Sequence, residues 1–126
     1  MRFRECDDWG CGHFGASRGD RKHNGLDIVE LPGDPVFCFN RGIVTKIGYP
    51  YANDLSFRYV EITDAGVRWR YFYCEPIVNV GDEVEAYTQI GTAQGLGERY
   101  PGITPHVHLE IIKDGEYIDP KPLISE

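Results

Sequence analysis

No window of a dozen residues in this chain repeats its apolar side chains at helical spacing, which leaves short strands as the building material. The 15 Gly and 8 Pro are spread along the length and cut it into brief runs rich in β-branched and aromatic residues. The strand-like runs are Pro35–Phe39, Gly42–Ile47, Arg58–Thr63, Val67–Tyr73, Glu83–Ala86, Gln89–Ala93 and His106–Ile112. Turn residues separate them: Leu31-Pro32-Gly33-Asp34, Phe39-Asn40-Arg41-Gly42, Thr63-Asp64-Ala65-Gly66 and Val80-Gly81-Asp82. The expected fold is all-β, a mostly antiparallel sheet folded over on itself with little helix.

At 126 residues the chain is expected to form one domain with a core of its own. A net charge of −7 and a pI near 5.0 exclude a nucleic-acid binder that tracks phosphates with a basic face. An acidic domain of this size can still approach a cationic peptide or an amine-bearing substrate. No apolar run approaches the roughly 18 residues needed to span a bilayer, so membrane insertion is not expected. Met1–Cys6 lacks the apolar stretch of a secretory signal. Work outside the cell would then follow lysis, delivery in a larger particle or assisted export. A monomer is expected.

Among the four cysteines, Cys6 and Cys11 lie close enough to close a small disulfide loop, while Cys38 and Cys74 sit in apolar runs as small hydrophobes. A cysteine zinc site would show tighter pairs.

Three of the four histidines fall in two short motifs, His23-Asn24-Gly25-Leu26-Asp27 and Pro105-His106-Val107-His108-Leu109-Glu110-Ile111. Strand alternation sends Val107, Leu109 and Ile111 to the core and His106, His108 and Glu110 to the opposite face. Two imidazoles roughly 7 Å apart suit one metal ligand and one proton carrier in the same cleft. Extended chain would put His23 and Asp27 roughly 13 Å apart, too far to share an ion, and Asn24-Gly25 allows a bend that brings them together. Two imidazoles and a carboxylate with one open position make the catalytic zinc pattern, in which bound water becomes acidic near neutral pH. Each motif also has an ordinary reading, as a solvated pair or a chance spacing.

The match at these motifs extends along nearly the whole chain. Arg21–Ile28, Gly33–Phe37, Asn40–Val44, Val80–Val84, Gln89–Gly91, Pro105–Glu110 and Ile118–Pro120 occur in the order and with the signatures of one family. The sequence resembles the lysostaphin-type (LytM-like) zinc endopeptidases, which cut peptide cross-links in bacterial cell walls. The resemblance implies Zn2+ held by His23, Asp27 and His108, His106 as the catalytic histidine, and peptidoglycan stem peptides as partners. It implies a core over residues 23–120, after an N-terminal segment 1–22, with an open groove.

One position departs from the family pattern. A second catalytic histidine is usual before the V-G-D turn, and Tyr73 stands there instead. A vertebrate chemotaxin branch of the family shares this change, together with a Cys6–Cys11-like loop, and keeps zinc without peptidase activity. The sequence therefore points to a peptidase in which Tyr73 steadies the oxyanion, or to a zinc-bearing binding module. Among the other candidates, His13 fits a groove or surface position better than a ligand. Arg18 could contact substrate, Glu110 could support a ligand, and Tyr49 and Tyr51 could wall the groove.

Overall fold

The computed structural model describes residues 1–124. Two short hairpins open the chain, β1 (Cys6–Asp7) with β2 (Gly10–Cys11), and β3 (Ser17–Arg18) with β4 (Arg21–Lys22). There follow β5 (Leu26–Val29), β6 (Pro35–Phe37), β7 (Gly42–Gly48), β8 (Tyr59–Asp64), β9 (Val67–Phe72) and β10 (Cys74–Pro76). The last strands are β11 (Glu83–Val84), β12 (Gln89–Ala93), β13 (His106–Lys113) and β14 (Glu116–Ile118), before one turn of helix, α1 (Lys121–Ile124). A seven-stranded antiparallel sheet runs β11-β7-β8-β9-β13-β14, and β5 pairs with the first half of β13. A three-stranded sheet, β10-β12-β6, lies against it. The all-β expectation holds.

Alternation along the central strands decides which face is dry. Val60 and Ile62 of β8, Tyr71 of β9, and Leu109 and Ile111 of β13 are buried in one cluster with Val36, Ile90 and Ala93 of the small sheet. Cys38 and Cys74 belong to that cluster as free thiols, and Cys6 is bonded to Cys11. The polar alternates on the other face of β13 are His106, His108 and Glu110, as the period of two requires.

Several expected boundaries move, each for a local reason. β9 stops at Phe72 because Tyr73 takes a left-handed backbone at φ 67°. β8 and β9 stay paired to Asp64↔Val67, so the hairpin turn is Ala65-Gly66, at φ 49° and 80°. Such mirror-image turns match the twist of the flanking strands. β6 ends early because Cys38 exchanges hydrogen bonds with Thr88 and Tyr87 instead of continuing the ladder. β11 ends at Val84, where the chain turns through Tyr87 at φ 62°. The sequence reading had no separate strand at β5, β10 or β14.

The buried Tyr71 hydroxyl ties the core to the β6–β7 loop. It accepts from Phe39 N at 3.0 Å and donates to Asn40 Oδ1 at 2.5 Å. Tyr71→Phe would strand both partners and is expected to cost about 1–3 kcal/mol, read as a lower urea midpoint at unchanged slope.

Candidate metal centre

The centre is built on the pairing of β5 with β13, whose register sets Asp27 directly opposite His108. His23 lies just before β5. Its backbone is held by exchange with Ala16 and Gly15, so the chain folds back before entering the strand. Gly25 lies at a bend, as expected, although without a positive φ. It is needed for close approach: a Cβ there would strike the Leu109 carbonyl and come within 2.7 Å of His108 Cε1.

His23 Nε2, Asp27 Oδ1 and His108 Nδ1 converge. The separations are 3.2 Å from His23 to Asp27, 3.0 Å from His23 to His108 and 2.8 Å from His108 to Asp27. A tetrahedral ion with ligand bonds near 2.1 Å needs donor atoms about 3.4 Å apart, so the three separations fall short by about 0.2–0.6 Å and an ion would spread the cradle slightly. The proton positions point the same way. The His13 carbonyl, which can only accept, takes the His23 Nδ1 proton at 2.9 Å and leaves Nε2 as a lone pair. The Glu110 carboxylate takes the His108 Nε2 proton at 2.9 Å and leaves Nδ1 likewise. With Asp27 Oδ1, three lone pairs face one point, an arrangement that repels itself unless a cation sits between them.

The electrostatics agree. Burial opposes charge on His108, yet Asp27 and Glu110 outweigh it and push its pKa up to about 9. Burial would also raise the Asp27 carboxyl, but the His108 and His23 imidazoles beside it hold it well below the ordinary range. A positive charge at His108 Nδ1 is what the site favours, and a proton or a divalent ion supplies it.

The other Asp27 oxygen is taken by Arg4, a residue the motif reading did not reach. Arg4 Nη1 donates to Asp27 Oδ2 at 2.8 Å, and Arg4 Nε and Nη2 grip Asp7 at 3.0 and 2.7 Å. Asp7 also accepts from Thr104 N at 2.9 Å, tying the disulfide hairpin to the loop before β13. No spacing rule links Arg4 to Asp27, because the contact is made by backbone pairing of residues 2–4 and 12 onto β5.

His106 stands beside the cradle without joining it. The Thr104 carbonyl takes its Nδ1 proton at 2.7 Å, leaving Nε2 as a lone pair 3.5 Å from Asp27 Oδ2. Burial lowers its pKa, with Asp27 opposing, so the ring is neutral at neutral pH and can take a proton. Tyr73 packs edge-on against it at 5.7 Å between ring centres. Burial raises the Tyr73 pKa to about 12, opposed by the Tyr51 hydrogen bond, so the phenol keeps its proton and serves as a donor. Its hydroxyl ends a chain in which Arg99 Nε donates to Tyr100 at 3.2 Å, Tyr100 bonds Tyr51 at 2.6 Å, and Tyr51 bonds Tyr73 at 2.9 Å. Arg99 can only donate, and a hydroxyl that accepts from a cation donates more readily onward. Either hydroxyl can donate in each Tyr–Tyr bond; in the direction that starts from Arg99, each hydroxyl donates to the next and the Tyr73 proton is free for the groove.

The groove holding these groups measures about 420 Å³ and is also lined by Trp9, Arg18, Arg21 and Phe72. Tyr51 walls it as expected. Tyr49 does not; it stacks under Arg58 at 4.3 Å. The His13 side chain is exposed, and its part in the centre is played by its carbonyl.

Peptidase family M23 matches residues 21–120. The chain belongs to that family. Mouse leukocyte cell-derived chemotaxin-2 is 32% identical over 109 residues, covering 86% of this chain and 72% of the relative. Peptidoglycan DD-endopeptidase ShyC of Vibrio cholerae is 30% identical over 103 residues, covering 80% of this chain and 22% of that protein. The structure of lysostaphin from Staphylococcus simulans superposes with a TM-score of 0.72 at 22% identity, over 91% of this chain and 48% of that one, and shares the fold. The M23 match begins at Arg21, so Arg4, Asp7 and the disulfide hairpin lie outside it.

Two outcomes follow from this geometry. Gly25→Ala should displace His108 and weaken Zn2+ binding by about 10- to 100-fold, measured by competition with a chromophoric chelator. The Arg4 hydrogen bond holds the Asp7 carboxyl well below its ordinary 3.8, so its contribution to stability is present above that pH and lost as pH falls below it. Asp7→Asn should therefore flatten the acid limb of a stability–pH curve below about pH 4.

Proposed function

We propose that this protein is a zinc-dependent endopeptidase that hydrolyses peptide cross-links of peptidoglycan. The observation that carries the reading is the convergence of three lone pairs from His23, Asp27 and His108 beside a neutral His106, in a groove open to a peptide. Membership of peptidase family M23 and the likeness to a peptidoglycan DD-endopeptidase supply the substrate class. Action at the bacterial wall, as a monomer, completes the proposal, with the economy of a phage lysis or penetration enzyme.

When bound, zinc would supply Lewis acidity to a water molecule and to the scissile carbonyl. The chain's own groups do the rest. His106 Nε2 takes the proton from the attacking water while the Thr104 carbonyl keeps the ring in register. As the water oxygen bonds to the carbonyl carbon, the Tyr73 hydroxyl donates to the developing oxyanion. The C–N bond then breaks, and His106 returns its proton to the departing amine. Arg4 occupies Asp27 Oδ2, so Asp27 would offer the ion Oδ1.

A second reading has its own support. Tyr73 stands where the family pattern has histidine, and the likeness to leukocyte cell-derived chemotaxin-2 extends over most of both chains. On that reading the same centre is a structural zinc site in a binding module.

Turbidity loss of purified peptidoglycan separates the two. Zinc-loaded wild type should clear the suspension, EDTA should stop it, His106→Ala should slow it by about 10²- to 10⁴-fold and Tyr73→Phe by about 10²-fold. No clearing across walls of several cross-link types, with zinc confirmed in place, would leave the binding module as the function.

A further inference from the structure

The β3–β4 hairpin carries an arrangement that stability does not explain. Its register sets Arg18 directly opposite Arg21, and like charges at such a pair repel. Acidic residues outnumber basic ones by 20 to 13, so partners were abundant in the composition. Yet the ion pairs among the described residues engage Arg4, Arg41, Arg68, Arg70 and Arg99, and neither Arg18 nor Arg21. Both line the groove that holds the metal cradle.

Arg18 is also fixed in place. Its Nη2 donates to the Cys11 carbonyl at 2.6 Å and its Nη1 to the Ser17 carbonyl at 3.1 Å. The guanidinium lies over Gly10, where a Cβ would come within 3.0 Å of Nη1. Two neutral carbonyls orient the group without neutralising it. Burial weakens its hold on its proton, Asp27 opposes, and the repulsion of Arg4 and Arg21 adds to the cost. The negative charges of the groove are already engaged, Asp27 by Arg4 and the histidines and Glu110 by His108. The uncommitted charge is therefore positive, although the protein as a whole is acidic.

We propose that Arg18 and Arg21 form a carboxylate subsite, so that the peptide entering the groove carries a free carboxylate where it passes the β3–β4 hairpin. A planar guanidinium oriented by two carbonyls matches a carboxylate through paired N–H donors, and an incoming anion relieves the repulsion between the two arginines. This selects an acidic peptide, the reverse of the cationic partner that the net charge suggests. It rests on the reading of the groove as a peptide site and not on hydrolysis.

The test uses two synthetic stem peptides that differ only in a carboxylate or a carboxamide at the acidic residue. Binding to zinc-loaded His106→Ala protein is measured by calorimetry, so that cutting does not intervene. The acid peptide should bind about tenfold more tightly, and the preference should shrink on adding salt. Arg21→Gln should remove most of it. The Arg21 side chain is exposed and enters none of the ion pairs found among the described residues, so this variant remains informative if Arg18→Gln disturbs the Cys11 loop. The Arg18→Glu/Arg21→Glu pair should invert the preference. Equal binding of the two peptides, or a preference that survives charge reversal, overturns the subsite. Cutting of both peptides at one rate by wild type would remove the subsite and leave the peptidase standing. Discrimination lost in the arginine variants, with no cutting of either peptide, would keep the subsite and remove the peptidase.

Discussion

The pairing of β5 with β13 is the constraint on which the rest depends. A single register step in an antiparallel ladder turns every side chain to the other face. Here one step would bury His106, His108 and Glu110 in the core and turn Val107 and Leu109 into the groove. The apolar alternates, almost wholly excluded from solvent, hold the strand in phase. The same pairing puts Asp27 opposite His108, and close approach at Gly25 sets how near the two strands come. Core packing and the candidate metal cradle thus read the same eight residues of β13 from opposite sides.

Around that ladder, backbone carbonyls share the positioning with side chains. His13 O and Thr104 O each fix the proton of one imidazole, and both belong to loops rather than strands. A carbonyl is an unambiguous acceptor, so it fixes a tautomer whatever residue carries it. This is why the centre tolerates an exposed His13 side chain. The N-terminal segment then buttresses the carboxylate from behind. Residues 2–4 and 12 add backbone bonds to β5, and Arg4 joins Asp27 to Asp7 and so to the disulfide hairpin and the Thr104 loop. The segment outside the family match is part of the centre's architecture.

Legibility in the sequence followed interaction range. The His106-x-His108 strand declared itself because period two is a local property, and its apolar alternates left one assignment of faces. The turns were legible for the same reason, although the Ala65-Gly66 hairpin closed one residue later than the Gly suggested. His23 and Asp27 were legible as a motif and Gly25 as its bend, but the close approach that also requires glycine there leaves no further mark in the sequence. Arg4, Tyr100 and Arg99 were hidden by separation along the chain, and Tyr51 was legible as a groove wall but not as the hydrogen-bond partner of Tyr73 and Tyr100. An arginine 23 residues before its carboxylate, or tyrosines 22 and 49 residues apart, leave no periodic trace. The Arg18–Arg21 pair was visible as letters, but its meaning lay in the absence of a counter-charge, which only the fold reveals.

Tyr73 shows how a departure from a family pattern can be read physically. The backbone at φ 67° ends β9 and carries the chain into the small sheet, bridged by Tyr73 N to Arg58 O and Gln94 N to Tyr73 O. Glycine or asparagine would take that conformation at less cost, whereas a bulky side chain there costs about 1–2 kcal/mol. The turn alone therefore argues against tyrosine. What the aromatic residue adds is a hydroxyl at the groove, packed against Tyr51 and His106 and joined through Tyr51 and Tyr100 to Arg99. A side chain serving only to fill space needs neither the hydroxyl nor the chain behind it. Under the proposed endopeptidase reading, Tyr73 is the phenol that would meet a developing oxyanion, and that role would offset the strain of its backbone.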